Sequence, residues 1–125
     1  MFQTAVPVLG VSNSTNAEAF YCGPLGFRRA YLHRPNSEKA DPCWMGIVRD
    51  DAHLVLSSFK GDGPPGSGRT QVFIEDAGVV HGEFLEAGVA CSELVVESWG
   101  HVEFNVIDPD GNRLNFAQDK SQPTE

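Results

Sequence analysis

Apolar and polar residues alternate over short stretches of this chain, and between those stretches the apolar spacing turns helical. Ala5-Val6-Pro7-Val8-Leu9-Gly10-Val11 reads as a strand. Pro7 has no N–H, so this strand should pair on one side only there, or lie at an edge. Ser12-Asn13-Ser14-Thr15 supplies capping oxygens. Asn16 to Tyr21 then predicts a helix that buries Ala17, Phe20 and Tyr21 and ends at Gly23-Pro24 and Gly26. Arg28 to His33, Trp44 to Arg49 and His53 to Phe59 predict three strands, with Asp50-Asp51 as a tight turn between the last two.

The same order returns after a break. Gly61 to Gly68 packs four Gly and two Pro into eight residues, which excludes helix and strand, with 60 residues before it and 57 after. Without a Lys-Ser/Thr ending it is not a phosphate loop. Arg69 to Glu75 is a strand, Asp76 a cap, and Val79 to Ala87 a helix with Val80, Phe84 and Leu85 on one side, closed by Gly88. Cys91 to Val96, Val102 to Ile107 and Arg113 to Ala117 are strands, the last two turned by Asp108-Pro109-Asp110-Gly111. The expected organisation is one α+β domain over residues 1–125. Module 1 covers about 4–60, a linker 61–68, module 2 about 69–118, and a polar, frayed tail 119–125.

Strand parity separates two faces. Val102, Phe104 and Val106 alternate with His101, Glu103 and Asn105; Leu114 and Phe116 alternate with Arg113, Asn115 and Ala117; Leu54 and Leu56 alternate with His53, Val55, Ser57 and Phe59. Helices should cover the apolar face of each sheet. If the two half-sheets curl so that their mixed polar and aromatic faces meet, they enclose a ligand cleft, with the helices on the outer face.

Charge narrows the partners. With 9 basic against 17 acidic residues the net charge is −8, which argues against nucleic acid and anionic membrane and favours a cationic ligand. The start Met1-Phe2-Gln3-Thr4 has no basic segment, and no apolar run approaches the roughly 20 residues of a membrane span. Cys22, Cys43 and Cys91 form no CxxC pair, so the expected setting is a reducing cytoplasm, with the cysteines as small core residues.

Several segments carry a family resemblance. They are Ala5-Val6-Pro7-Val8-Leu9, Ala19-Phe20-Tyr21 followed by Leu25-Gly26-Phe27, Trp44 to Asp51, and Trp99-Gly100 leading to Asp108-Pro109-Asp110-Gly111-Asn112. Together with the paired βαβββ order, these resemble the vicinal oxygen chelate superfamily, which includes glyoxalase I, extradiol dioxygenases and bleomycin-resistance proteins. The resemblance runs from about residue 5 to 118 and is closest to the bleomycin-resistance, antibiotic-binding group. Metal-dependent relatives need His, Gln or Glu ligands at positions that fall here near Val6, at Val55, at Gln71 and at Asn115. Valine coordinates nothing and Asn is a weak ligand. The resemblance therefore implies binding without catalysis and without a cofactor. The alternative is a metal-dependent enzyme of the same superfamily, with a displaced site drawn from His53, His101, Glu103 and Glu75, which parity can turn to the cleft. No nucleophile–base pair stands out.

By resemblance, a planar drug of the bleomycin type would be gripped between Trp44 and Trp99. Parity adds Phe59, Phe73, Ser57, His101, Glu103 and Asn115 as ligand contacts, and Glu103 would favour a cationic tail. Ring stacking adds roughly 0.5–1.5 kcal/mol beyond area burial. The resemblance also implies a homodimer, often with an exchanged N-terminal strand.

Overall fold

A computed structural model describes residues 1–120. The chain forms two units by contact: Met1–Gly68 with Asp108–Asn112, and Arg69–Ile107 with the chain from Arg113 onward. Each unit holds a four-stranded mixed sheet and one main helix, so the α+β fold and the twice-repeated βαβββ order expected from the sequence are both present.

In the first unit, β1 (Val8–Gly10) is the edge of the order β1-β4-β3-β2 and runs parallel to β4 (Ala52–Ser57) of its own chain. The strand is shorter than expected. Pro7 lies just outside it and accepts from Val55 N through its carbonyl, 2.9 Å away; with no N–H it cannot return a bond, and the regular pairing starts at Val8. β2 (Arg28–His33) and β3 (Trp44–Arg49) have the expected bounds and pair antiparallel. Helix α1 (Ser14–Cys22) starts at Asn13, whose side chain accepts from Asn16 N at 2.9 Å. Ser14, Ala17 and Tyr21 are buried, while Phe20 is half-buried. The segment from Gly61 to Gly68 holds no strand, but a single 3-10 turn at Lys60–Asp62 enters its start.

The turn Asp108–Asn112 is a hydrogen-bonding hub of this unit rather than a plain loop. One Asp108 oxygen accepts from the backbone N–H groups of Asp110, Gly111 and Asn112 at 2.8–2.9 Å. The other accepts from Tyr21 Oη and Asn112 Nδ2, each at 2.8 Å. Burial, then the neighbouring Asp108 charge, push the Tyr21 phenol far up, so it stays protonated and donates. Asn112, fully buried, also donates to Gly10 O and accepts from Gly68 N.

The second unit is ordered β5-β8-β7-β6, with β5 (Arg69–Phe73), β6 (Val95–Val96), β7 (His101–Ile107) and β8 (Arg113–Asp119). Helix α2 (Ala77–Glu86) is capped by Asp76, which accepts from Val79 N at 3.1 Å. Its buried positions are Ala77 and Phe84, seven apart on one stripe. Leu85, expected on that face, is 50% exposed because it lies one residue round the helix from Phe84. Phe84 meets Phe104 and Phe116 edge-on at 6.0 and 5.2 Å, so α2 covers the apolar face that parity assigned.

Two expectations need correction here. The strand expected over Cys91 to Val96 reduces to Val95–Val96 plus an isolated bridge from Cys91 to Val106. The Ser92 hydroxyl accepts from Asn105 N at 2.7 Å, so a side chain replaces a ladder partner and breaks the strand. The tail expected from residue 119 begins later: Asp119 ends β8, and Lys120 N donates to Gly100 O at 2.9 Å. The rest of that tail, 121–125, lies outside the described residues. No helix among the described residues is long and apolar enough to cross a membrane.

Candidate functional site

The face of the second sheet opposite α2 follows from strand register. Side chains alternate along a strand and align across it. Arg69 pairs Arg113, which pairs Ile107; Gln71 pairs Asn115, which pairs Asn105; Phe73 pairs Ala117, which pairs Glu103; His101 pairs Asp119. These four rows share one face, while Val72, Phe104, Val106, Leu114 and Phe116 are buried on the other.

The second row is a ladder of amides. Gln71 Nε2 donates to Asn115 Oδ1 at 2.8 Å, and Asn115 Nδ2 donates to Asn105 Oδ1 at 3.1 Å. The three side chains hold one another in place and leave further donors and acceptors for an occupant. A cavity of about 500 Å³ opens over them, with Arg69 and Arg113 at one end and Glu103 and Trp99 at the other.

Trp99 owes its position to a tight turn between β6 and β7. Gly100 N donates to Glu97 O at 3.0 Å, and Gly100 adopts a φ of 96, which a side chain would resist. The indole is 59% exposed. His101 meets the Trp99 ring edge-on at 6.5 Å and the exposed Phe73 ring at 5.4 Å. His101 Nδ1 and Glu103 Oε2 lie 3.5 Å apart and form an ion pair only when the imidazole is protonated. Both atoms are buried and have no hydrogen-bond partner among the described residues. Such orphaned polar atoms are costly unless something satisfies them.

Of the eight expected ligand contacts, five belong to this unit. Trp99, Glu103 and Asn115 line its cavity, and Phe73 and His101 adjoin them. Trp44, Ser57 and Phe59 belong to the first unit. Trp44 is half-buried opposite Ser57 in the β3–β4 ladder. Ser57 is buried, and its hydroxyl donates to Asp62 Oδ2. Phe59 stacks on His33 at 6.4 Å. Sequence reasoning did not assign Arg69, Thr70, Asn105 and Arg113 to the cavity, and weighed Gln71 only as a metal position. The signal for four of these was available in the parity of β5, β7 and β8.

Register locates the positions that the resemblance matched to metal ligands of relatives. Val55 pairs Val8, two residues beyond Val6, and Gln71 pairs Asn115. Among the described residues no group of three or more His, Cys, Asp and Glu converges as a metal site. His53 belongs to the first unit, where its Nε2 meets Tyr31 Oη at 3.1 Å. Burial pushes the thiols of Cys22, Cys43 and Cys91 up, which keeps them poor nucleophiles.

Comparison with known proteins places this geometry. The antibiotic-binding protein TnmS3 from Streptomyces sp. CB03234 is similar over 95% of this chain and 98% of its own, with 27% identity and a TM-score of 0.75. A glyoxalase/bleomycin resistance protein from the same organism is 27% identical, with 93% of this chain and 100% of its own covered and a TM-score of 0.76. The bleomycin-binding protein of Streptomyces verticillus, solved with copper(II)-bleomycin, shares the fold at 24% identity and a TM-score of 0.72, over 93% of this chain and 95% of its own. No curated protein matches the sequence. Residues 1–122 match the family described as “Glyoxalase superfamily protein”. With its two βαβββ repeats and residues 1–122 matched, the chain belongs to the glyoxalase superfamily.

Proposed function

We propose that this protein is an antibiotic-binding protein of the bleomycin-resistance type, holding a planar drug without modifying it. The observation that carries the reading is the cavity of about 500 Å³ in the second unit, where an exposed tryptophan stands at the end of a rigid amide ladder. An indole offers a flat surface for a ring. The amides fix orientation through hydrogen bonds. Nothing in that set is a nucleophile poised beside a base. The 27% identity to an antibiotic-binding protein over nearly both full chains supports the same reading. Sequestration consumes one protein per drug and needs no turnover.

Calorimetry with metal-free and copper-loaded bleomycin is the direct test. Binding at micromolar concentration, with the drug recovered at unchanged mass, is the expected result. Failure of both forms to bind intact protein removes bleomycin as the drug. A new mass after incubation makes the protein an enzyme and overturns the reading.

We also propose a homodimer. Val95 and Val96 of the edge strand β6 are 45% and 78% exposed, and Leu94 just before it is 39% exposed, an apolar edge that a second copy would cover. A stable dimer should bury roughly 1,200 Å² or more. Sedimentation as a monomer at micromolar concentration would refute it.

A further inference from the structure

We infer that the ligand of the second unit's cavity carries an acidic group, held by Arg69 and Arg113 at the end opposite Trp99. The inference rests on the planar-drug reading above and adds the charge of the drug.

Three observations carry it. First, Arg69 and Arg113 are direct partners on neighbouring parallel strands, on the cavity face, and both line the cavity. Like charges side by side across a sheet repel. Second, neither guanidinium has an ion-pair partner among the described residues, whereas Arg29 pairs with Glu18. Asp108 and Asp110, on the turn before Arg113, are committed to Tyr21, Asn112 and Ser12. Third, the one carboxylate lining the cavity, Glu103, lies two rows away, with His101 Nδ1 as its neighbour. Four residues of strand separate the arginine row from the Phe73 row, about 13 Å at 3.3 Å per residue.

Two adjacent guanidinium forks suit a planar oxyanion such as a carboxylate, which each can grip through paired N–H groups. An occupant that spans the face would set its ring against Trp99 and Phe73 and lay its polar body over Gln71, Asn115 and Asn105. Its acid would then neutralise the arginine pair. The net charge of −8 attracts cations from a distance, but exposed charges beyond about 10 Å are screened at ordinary salt. The groups that touch the ligand decide its charge.

A matched set of fluorescent probes tests this on the full chain: 1-pyrenebutyrate, 1-pyrenebutanol and 1-pyrenebutylamine, which share ring and spacer and differ in the end group. Pyrene anisotropy gives each affinity, and melting curves establish that every variant is folded. The expected result is butyrate binding at least about tenfold more tightly than butanol, the margin of one charge-assisted anchor. That ratio should fall to about twofold or less in the Arg69→Gln/Arg113→Gln double variant, with the single variants in between, and it should shrink with added salt. Trp99→Ala should weaken all three probes. Equal affinities for butyrate and butanol, tightest binding of the amine, or a ratio that survives both Arg substitutions would overturn the inference. In those cases the planar-drug reading stands, because butanol still binds through Trp99. If no probe binds the folded protein, the inference falls, and bleomycin calorimetry alone decides the planar-drug reading.

Discussion

The two sheets share one topology and one register, yet their corresponding rows are built from opposite chemistry. In the first unit Val8 pairs Val55, which pairs Gly46. In the second the same places hold Gln71, Asn115 and Asn105. The first row is closed by its own chain: a Cβ at Gly46 would clash with Tyr31 Cζ, so the tyrosine ring lies directly on that glycine. Val55 is left 2% exposed. The second row lines the cavity. The repeated fold thus fills one face with apolar side chains and leaves the other polar and open, because amides on an open face keep their hydrogen bonds to water or to a ligand.

The sharpest test of the two faces uses adjacent residues on β7. Phe104→Ala, on the α2 side, should cost about 3–5 kcal/mol in denaturant unfolding. Asn105→Ala, one residue away on the cavity side, should stay within about 0.5 kcal/mol and instead weaken bleomycin or pyrene-probe binding. Equal losses of stability would mean that the cavity face is not distinct. Within the first unit, Tyr21→Phe removes a buried donor to the Asp108 carboxylate and should cost about 1.5–3 kcal/mol in thermal melting. The loss should be small if water replaces the hydroxyl.

Trp99→Ala should lower ligand affinity by about 2 kcal/mol with little change in melting temperature, since the ring is 59% exposed. A parallel fall in stability would make Trp99 a packing residue. Gly46→Ala should destabilise by about 1–2 kcal/mol by displacing the Tyr31 ring, and the penalty should vanish in a Tyr31→Ala background.

The smallest expected effect is a pH dependence. Partial burial acts to raise the Asp41 carboxyl, but hydrogen bonds from Ser58 Oγ at 2.6 Å and Ser14 N at 3.0 Å outweigh it. The folded value therefore lies below the unfolded one. Its stabilisation is fully present above the ordinary carboxylate range and is lost as pH falls through the lower folded value. Asp41→Asn should flatten that acid limb of the stability curve, read by urea unfolding at stepped pH. An unchanged limb would assign the dependence to other carboxylates.

Much of this was legible in the residues. Alternation at Val102, Phe104 and Val106 marked the buried face of β7, and Asn13 and Asp76 marked helix starts, because period and capping chemistry are local properties. Val55 and Asn115 stood out as unfit metal ligands only through the family resemblance, which says where such ligands would stand. Arg69 and Arg113 did not stand out, because 44 residues separate them in sequence and only the parallel β5–β8 register makes them neighbours.

The sequence by itself determined the repeat, the element order and which face of each strand is greasy. The tertiary structure decided the rest. Asp108 became a buried acceptor because Tyr21, 87 residues away, comes to lie against it. Tyr31 closed the first sheet because a glycine sits across the ladder from it. The cavity acquired two arginines because two strands distant in the chain lie side by side. Local patterns are written in neighbouring residues, but burial, charge pairing and cavity shape are sums over residues that only the folded chain brings together.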